Sequence, residues 1–466
     1  MTSVAQAERQ GLVRAIGLFQ ATTINMSQMV GIGPFITIPI ILSTMGGPQA
    51  IFGWIVGALL AMADGLVWSE LGAAMPGEGG SYVYLREAFQ YRTGKLMPFL
   101  FVWSTLIATP LIMSTGMIGM ANYLAYFWPG MTPLDTKLVA VGITVITVAL
   151  LYRRVNSVAK ITGVLWAGMI VTVLLVIIAG MTHFNPHLAF DFPHNAFVPN
   201  QFLAGLGGGM LISIYDYMGY YTSCYLGDEI KKPGRNIPRS VILSIVAVAV
   251  IDIVMNLGVI GTVPWHEAMK STDIGTLFMQ TVWGKTGATI ITLLILWTAF
   301  ASVYTGLLGA SRLPYNAAVD GLFFRSFGKL HKRLQFPHIS LLVMGLVTAI
   351  CSFFNLGTII NTLMAVSIVV QFIGQIVALS VLRKRQPRLN RPFKQWLYPV
   401  PSLLALIGWA YVFYSSGRQA IEWAVGWTVL GVIAFLIWAK YEKQWPFGPK
   451  QIEEYYVERE HTADAG

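Results

Sequence analysis

Three stretches of this chain place polar or backbone-freeing residues inside otherwise apolar runs. The first is Gly31-Ile32-Gly33-Pro34-Phe35, with Pro39 a little further on. Pro34 has no backbone N–H and disfavours helical geometry at Gly33, and the glycines loosen the backbone. A helix crossing this stretch should unwind near mid-membrane, the alternative being a kinked helix whose glycines permit close packing. The N-terminus of its second half then presents N–H groups with partial positive charge, which suit a carboxylate. The N–H groups of Ile32, Gly33 and Phe35 are the candidates. The second stretch is Tyr215-Asp216-Tyr217-Met218-Gly219-Tyr220-Tyr221, preceded by Gly207-Gly208-Gly209. An acid inside an apolar span is expensive, at least ~2.5–3.5 kcal/mol. Freed carbonyls, Asp216 and the tyrosine rings suit an ammonium group, the rings by cation–π contact. Both features in one site fit a zwitterion, whereas a site dominated by Asp216 fits an amine or polyamine. The third is Asp64, an acid in the middle of the next apolar run. It is either a proton carrier or a structural carboxyl bonded to unwound backbone.

The elements that must position these residues follow from composition. The 466 residues are 55% hydrophobic and only 11% charged, against roughly 25% charged in an average soluble domain. Mean hydropathy is +0.63. Apolar stretches recur at 13–42, 48–74, 97–128, 137–152, 158–181, 201–227, 239–263, 286–310, 339–354, 358–382, 397–416 and 421–439. Most approach the ~20 residues that cross ~30 Å of hydrocarbon, where self-satisfied helices are the viable form. The fold expected is an all-α polytopic membrane protein of about twelve spans. The interrupted spans one and six open two five-span halves, and interruptions at corresponding positions point to a midplane transport site between inverted repeats. The division is residues 1–12 as a cytoplasmic segment, 13–440 as the membrane domain (repeats of about 13–181 and 201–382, peripheral spans 397–439) and 441–466 as a cytoplasmic tail.

Lysine and arginine test this count. With the N-terminus inside, only Lys137, Lys270, Lys285 and Arg418 of the 31 basic residues fall outside. Such a partition obeys the positive-inside rule with both ends in the cytoplasm. The net charge of +10 therefore reflects topology, and no continuous basic stripe suggests nucleic acid. Cys224 and Cys351 lie in apolar segments and imply neither a disulfide framework nor a cysteine metal site. The N-terminus does not read as a signal peptide. His183, His187 and His194 read as interfacial polar residues, and Tyr123, Tyr126, Phe127, Trp128, Trp423 and Trp427 as aromatic belts. No Ser/His/Asp set, phosphate loop or metal spacing argues for an enzyme.

The chain resembles the amino acid–polyamine–organocation (APC) transporter superfamily. The resemblance rests on Gly31-Ile32-Gly33, on Ser69 to Pro76 with Gly79 to Phe89, and on Asp228 to Pro233 with Arg235 to Arg239. Ala310-Ser311-Arg312-Leu313 with Asp320-Gly321-Leu322, and Arg391-Pro392-Phe393-Lys394, extend it in order along residues 25 to about 400. It implies a LeuT-type fold of five plus five inverted helices with two peripheral ones. It also implies substrate held between spans one and six, with Tyr217 and Gly219 where many members have an aromatic and a glycine, and Tyr220 as a gating aromatic. Together with the residues' own chemistry, the substrate-site candidates are Gly31, Ile32, Gly33, Phe35, Tyr215, Asp216, Tyr217, Gly219 and Tyr220. Asp64 and Ser302 are the coupling candidates, for H+ or Na+, and no cofactor is implied. The resemblance, aligned over Val155–Ala167, puts Met169 where many amino acid members carry a span-five lysine, and Lys160 lies too near the cytoplasmic end to replace it. Gly33-Pro34-Phe35 with Asp64 is similar to the polyamine-uptake branch, yet Tyr221 stands where that branch has its span-six acid. Thr305 reads as helix back-bonding, Asp252 and Asn256 as a structural polar pair, and Glu70 as a loop-ordering acid. The activity implied is secondary active transport of amino acids across the cytoplasmic membrane, the alternatives being polyamine or organic-cation import and amino acid exchange.

Overall fold

In a computed structural model the described residues are 14–77, 79–152, 155–334 and 336–447, with backbone alone for 155–167. The expectations for residues 1–12, for most of the tail and for the Lys160 side chain lie outside them. The helices in chain order are α1 (Leu18–Met29), α2 (Gly33–Met45), α3 (Ala50–Ala74), α4 (Ser81–Thr93), α5 (Leu96–Leu124), α6 (Pro133–Leu151), α7 (Val155–Thr182), the short α8 (Pro186–Ala189), α9 (Pro199–Tyr217), α10 (Pro233–Ile260), the short α11 (Trp265–Ala268), α12 (Ile274–Val319), α13 (His338–Cys351), α14 (Leu356–Ser367), α15 (Ile373–Arg385), α16 (Val400–Ser415) and α17 (Arg418–Tyr441). A single π turn, Ile368–Phe372, joins α14 to α15. No strand is present among the described residues. One parallel bridge, Ile16 to Ile230, ties the start of the chain to the segment before α10.

Each of the twelve apolar stretches falls on a helix or a joined pair. Among the described residues, seven helical stretches are long and apolar enough to span a membrane by themselves, and the bent pair α1–α2 makes an eighth. The chain is a multi-pass membrane protein. α9 falls short because its glycines and Tyr215-Asp216-Tyr217 dilute it; α13 and α16 fall short in length, with 14 and 16 residues. Two boundaries differ from the sequence reading. Span six stops being α-helical at Tyr217, where Met218 turns extended. Span eight is the second part of α12, which starts at Ile274 and breaks at Trp283–Gly284. Gly284 has φ +66°, a left-handed conformation that favours glycine. Between spans two and three, where no apolar stretch occurs in the sequence, the chain forms a full helix, α4.

The broken helices sit inside the bundle. α2 and α3 pack on α9, α1 and α3 pack on α10, and α5 packs on α12 and α14. Gly180 of α7 and Gly258 of α10 are so close that a Cβ on Gly180 would meet the Gly258 Cα at 2.9 Å, the small-residue approach common between membrane helices. Only 22% of the apolar stretch of α17 is buried, against 72% over Leu356–Arg385. α17 is thus peripheral, and Val429, Ile433 and Ile437 face outward.

One end of the bundle gathers the loop motifs. The Ile16 N–H donates to Glu229 O at 3.0 Å and the Lys231 N–H to Ile16 O at 2.9 Å. Tyr82 of α4 donates to Asp320 Oδ2 at 2.7 Å, and Lys95 Nζ to Gly321 O at 3.0 Å. Glu70, fully buried, accepts both Nε (2.8 Å) and Nη2 of Arg383, lies 3.4 Å from Arg391 Nε, and accepts the Gln395 N–H at 2.8 Å. The carboxylate therefore orders the 386–399 segment, because a buried charge is tolerated only when paired and hydrogen-bonded.

Candidate functional site

The centre of the site is the gap between α1 and α2. α1 ends at Met29, Val30 is extended (φ −86°, ψ 99°), and α2 starts at Gly33 with its axis turned by 52°. Proline near the helix start fits, since the missing N–H is an orphan there anyway. The Phe35 N–H is not free: it donates to Ile32 O at 3.0 Å. Ile32 and Gly33 donate to no acceptor among the described residues. Of the three expected N–H groups, these two remain for a ligand at the positive end of α2. The Phe35 carbonyl accepts from Tyr123 at 3.0 Å.

The second break faces the first. α9 ends at Tyr217, Met218 is extended, and Gly219 has φ +120°. A Cβ on Gly219 would meet the Gln28 carbonyl carbon at 3.1 Å, so the unwound segment after α9 touches the last turn of α1. A Cβ on Gly33 would stand 2.2 Å from Asp216 Oδ1, and one on Gly31 would stand 2.7 Å from Ser302 Oγ of α12. The structure therefore brings Gly31, Ile32, Gly33, Asp216, Gly219 and Ser302 to one place. All of these except Ser302 are buried, apart from any contact with lipid or water.

Asp216 is half satisfied. The Thr37 hydroxyl lies 2.5 Å from its Oδ2 and 2.9 Å from Gly33 O, one proton for two acceptors. Oδ1 has no hydrogen-bond partner. A buried carboxylate oxygen without a donor is costly, by ~1–3 kcal/mol or more. Asp252 of α10, within electrostatic reach of Asp216, has both carboxyl oxygens unpartnered, and so has Asn256 both amide atoms. The interior beside the break thus holds more acceptor capacity than donors.

The tyrosines are spoken for. Tyr215 shares a 2.5 Å hydrogen bond with Thr115 of α5. Tyr217 donates to Trp54 O at 3.2 Å. Tyr220 donates to Asp64 Oδ2 at 2.5 Å, and Tyr221 stacks on Trp68 with centroids 4.5 Å apart. Asp64 also accepts from Trp68 Nε1 (2.9 Å) and from Trp409 Nε1 of α16 (3.1 Å). Three neutral donors cage this carboxyl, and it joins α3 to α16 and to the segment after α9. Thr305 bonds back to Ala301 O at 2.8 Å. Met169 is buried, at 3% exposure. Sequence reasoning missed Thr37, Thr115, Trp54 and Trp409. Thr37 was within reach of it, because i+4 from Gly33 lies on the same helix face.

Two facing breaks, a helix N-terminus with two free N–H groups and a half-satisfied Asp216 carboxyl make a candidate binding site. The family model described as amino acid permease matches residues 16–436. The chain belongs to that family. The permease is similar to the aspartate-proton symporter of Bacillus subtilis, with 25% identity over 92% of this chain and 84% of the relative. It is 28% identical to the Asc-type amino acid transporter 1 of Mus musculus, covering 88% and 78%. It is also 24% identical to the methylthioribose transporter of Bacillus subtilis, covering 94% and 96%. The names of these relatives span an acidic amino acid and a thio-sugar, so membership alone leaves the ligand of this permease open.

Proposed function

We propose that this permease is a secondary active transporter that carries an amino acid across the cell membrane by alternating access around the α1–α2 and α9 breaks. The observation that carries this reading is the pairing of free Ile32 and Gly33 N–H groups with the unpaired Asp216 Oδ1 beside them. A zwitterion matches both: its carboxylate takes the positive helix end, and its ammonium takes the carboxylate oxygen. The named activities of the relatives agree with transport. α1–α7 and α9–α15 form the two inverted halves, each opening on a broken helix, with α16 and α17 peripheral and both chain ends in the cytoplasm. H+ or Na+ is the coupling ion. Asp64 is fully engaged by its three donors, so the unpartnered oxygens of Asp216 and Asp252, with Ser302 near Gly31, are the better places for it.

A thermal-shift screen of the purified permease against amino acids and polyamines tests the reading, because a ligand of the native state raises apparent stability by mass action, about 2.7 kcal/mol at a hundredfold excess over Kd. An amino acid should stabilise the wild type, and Gly33→Val and Asp216→Asn should abolish the shift. Unchanged binding in Gly33→Val would place the site elsewhere. The unpaired Asp216 oxygen also favours a second reading, an amine or polyamine without a carboxylate. Stabilisation by putrescine and by no amino acid would establish that one instead.

A further inference from the structure

Away from the transport site, a groove of about 970 Å³ opens at the end of the bundle that carries the Glu70 network. Its walls come from the start of α1 (Leu18), the first turns of α10, and the segment before α16. Lys232, Arg235 and Arg239 line one side. They stand three and four residues apart, so they share one face at the start of α10. All three are exposed, and none makes an ion pair among the described residues. The rest of the lining is apolar: one turn further along α10 it continues as Ile242 and Leu243, with Phe393 and Trp396 opposite. Leu243 and Trp396 are 48% and 61% exposed. The groove is cationic at the helix start and greasy one turn deeper into the span.

We propose that this groove binds an anionic phospholipid, its phosphate held by Lys232, Arg235 and Arg239 and an acyl chain lying along Leu243 and Trp396. A zwitterionic lipid carries its own cation next to the phosphate and would bring it against three uncompensated charges. An anionic headgroup removes that conflict, and basic pockets between membrane helices are suited to such headgroups. The apolar floor excludes free phosphate as the natural occupant, because it would leave Leu243 and Trp396 unmatched. A lipid seated there touches α1, α10 and the 386–399 segment at once. It therefore braces the first half of the broken span one against α10.

The test uses full-length protein in nanodiscs of phosphatidylcholine doped with brominated phosphatidylglycerol or, at equal mole fraction, brominated phosphatidylcholine. Brominated phosphatidylglycerol should quench tryptophan emission more strongly. Trp396→Phe should remove that excess, and the triple variant Lys232→Gln, Arg235→Gln, Arg239→Gln should cut it by about threefold or more. Excess phosphate in the buffer should leave it in place. Equal quenching by the two lipids would overturn the proposal, as would an excess that survives in Trp396→Phe. Loss of the excess to inorganic phosphate would make the site one for a free anion. An excess seen only after removal of residues 1–13 would make that segment the occupant. The wild-type comparison and Trp396→Phe stand without the triple variant if the latter fails to fold.

Discussion

At Gly33 a single hydrogen atom separates the two broken spans. A methyl group there would stand 2.2 Å from Asp216 Oδ1, a distance at which one of the two segments must move. Gly33→Ala should therefore weaken substrate binding by about tenfold or more, which corresponds to about 1.4 kcal/mol. Gly142→Ala in α6 is the control, since nothing lies within 4 Å of its added Cβ. It should bind normally and gain roughly 0.5–1 kcal/mol of stability, as helical glycines do on becoming alanine. Ligand titration and a thermal melt of both variants measure this; equal affinity in the two would mean that the Gly33–Asp216 contact is not part of the site. Asp216 was legible in the sequence as an acid in the wrong solvent. Its partner was not, because Gly33 and Asp216 are far apart in the chain and no periodicity links them. The fate of the Phe35 N–H was also hidden, since whether the first turn of α2 closes on Ile32 O depends on the local bend and not on residue type.

At the level of elements, the interruption of span one was readable from Pro34 and the adjoining glycines, whose chemistry forbids a continuous helix. The extent of the break in span six was less readable, since Gly207-Gly208-Gly209 lies inside α9 and the break falls after Tyr217. Those glycines instead let helices approach: a Cβ on Gly209 would crowd Met45 of α2. α4 escaped notice because its 13 residues are too polar to register as a span. α12 packs against the span-one break, where its Ser302 Oγ would stand 2.7 Å from a Cβ on Gly31. That contact gives a coupled prediction. Gly31→Ala alone should lower the thermal stability of the permease, and adding Ser302→Gly should recover part of that loss by removing the opposing side chain. Residues in contact deviate from additivity by about 0.5–3 kcal/mol in such a cycle. Thermal melts of the two single variants and the double variant measure the coupling. Strict additivity would show that α12 does not bear on the break.

The whole molecule sorts its charges, and this makes its orientation testable. Lys384 ends α15 among Arg383 and Arg385, at the end that also holds the Glu70 network. Lys285 lies just after the Gly284 break, where α12 turns back into the bundle. A single cysteine at each position reports on opposite faces, and the native background is low because Cys224 and Cys351 are buried at 0% and 3% exposure. By the positive-inside rule the Lys384 end is expected in the cytoplasm, since the potential and translocation machinery resist moving clustered basic residues outward. A membrane-impermeant maleimide added to intact cells should label Lys285→Cys and spare Lys384→Cys; in inverted vesicles the pattern should reverse. Labelling of Lys384→Cys from outside would invert the orientation. It would also move the proposed lipid groove to the outer leaflet, where anionic lipid is scarcer in membranes that concentrate it on the cytoplasmic face. The orientation experiment thus bears on both the direction of transport and the lipid that the basic groove can meet.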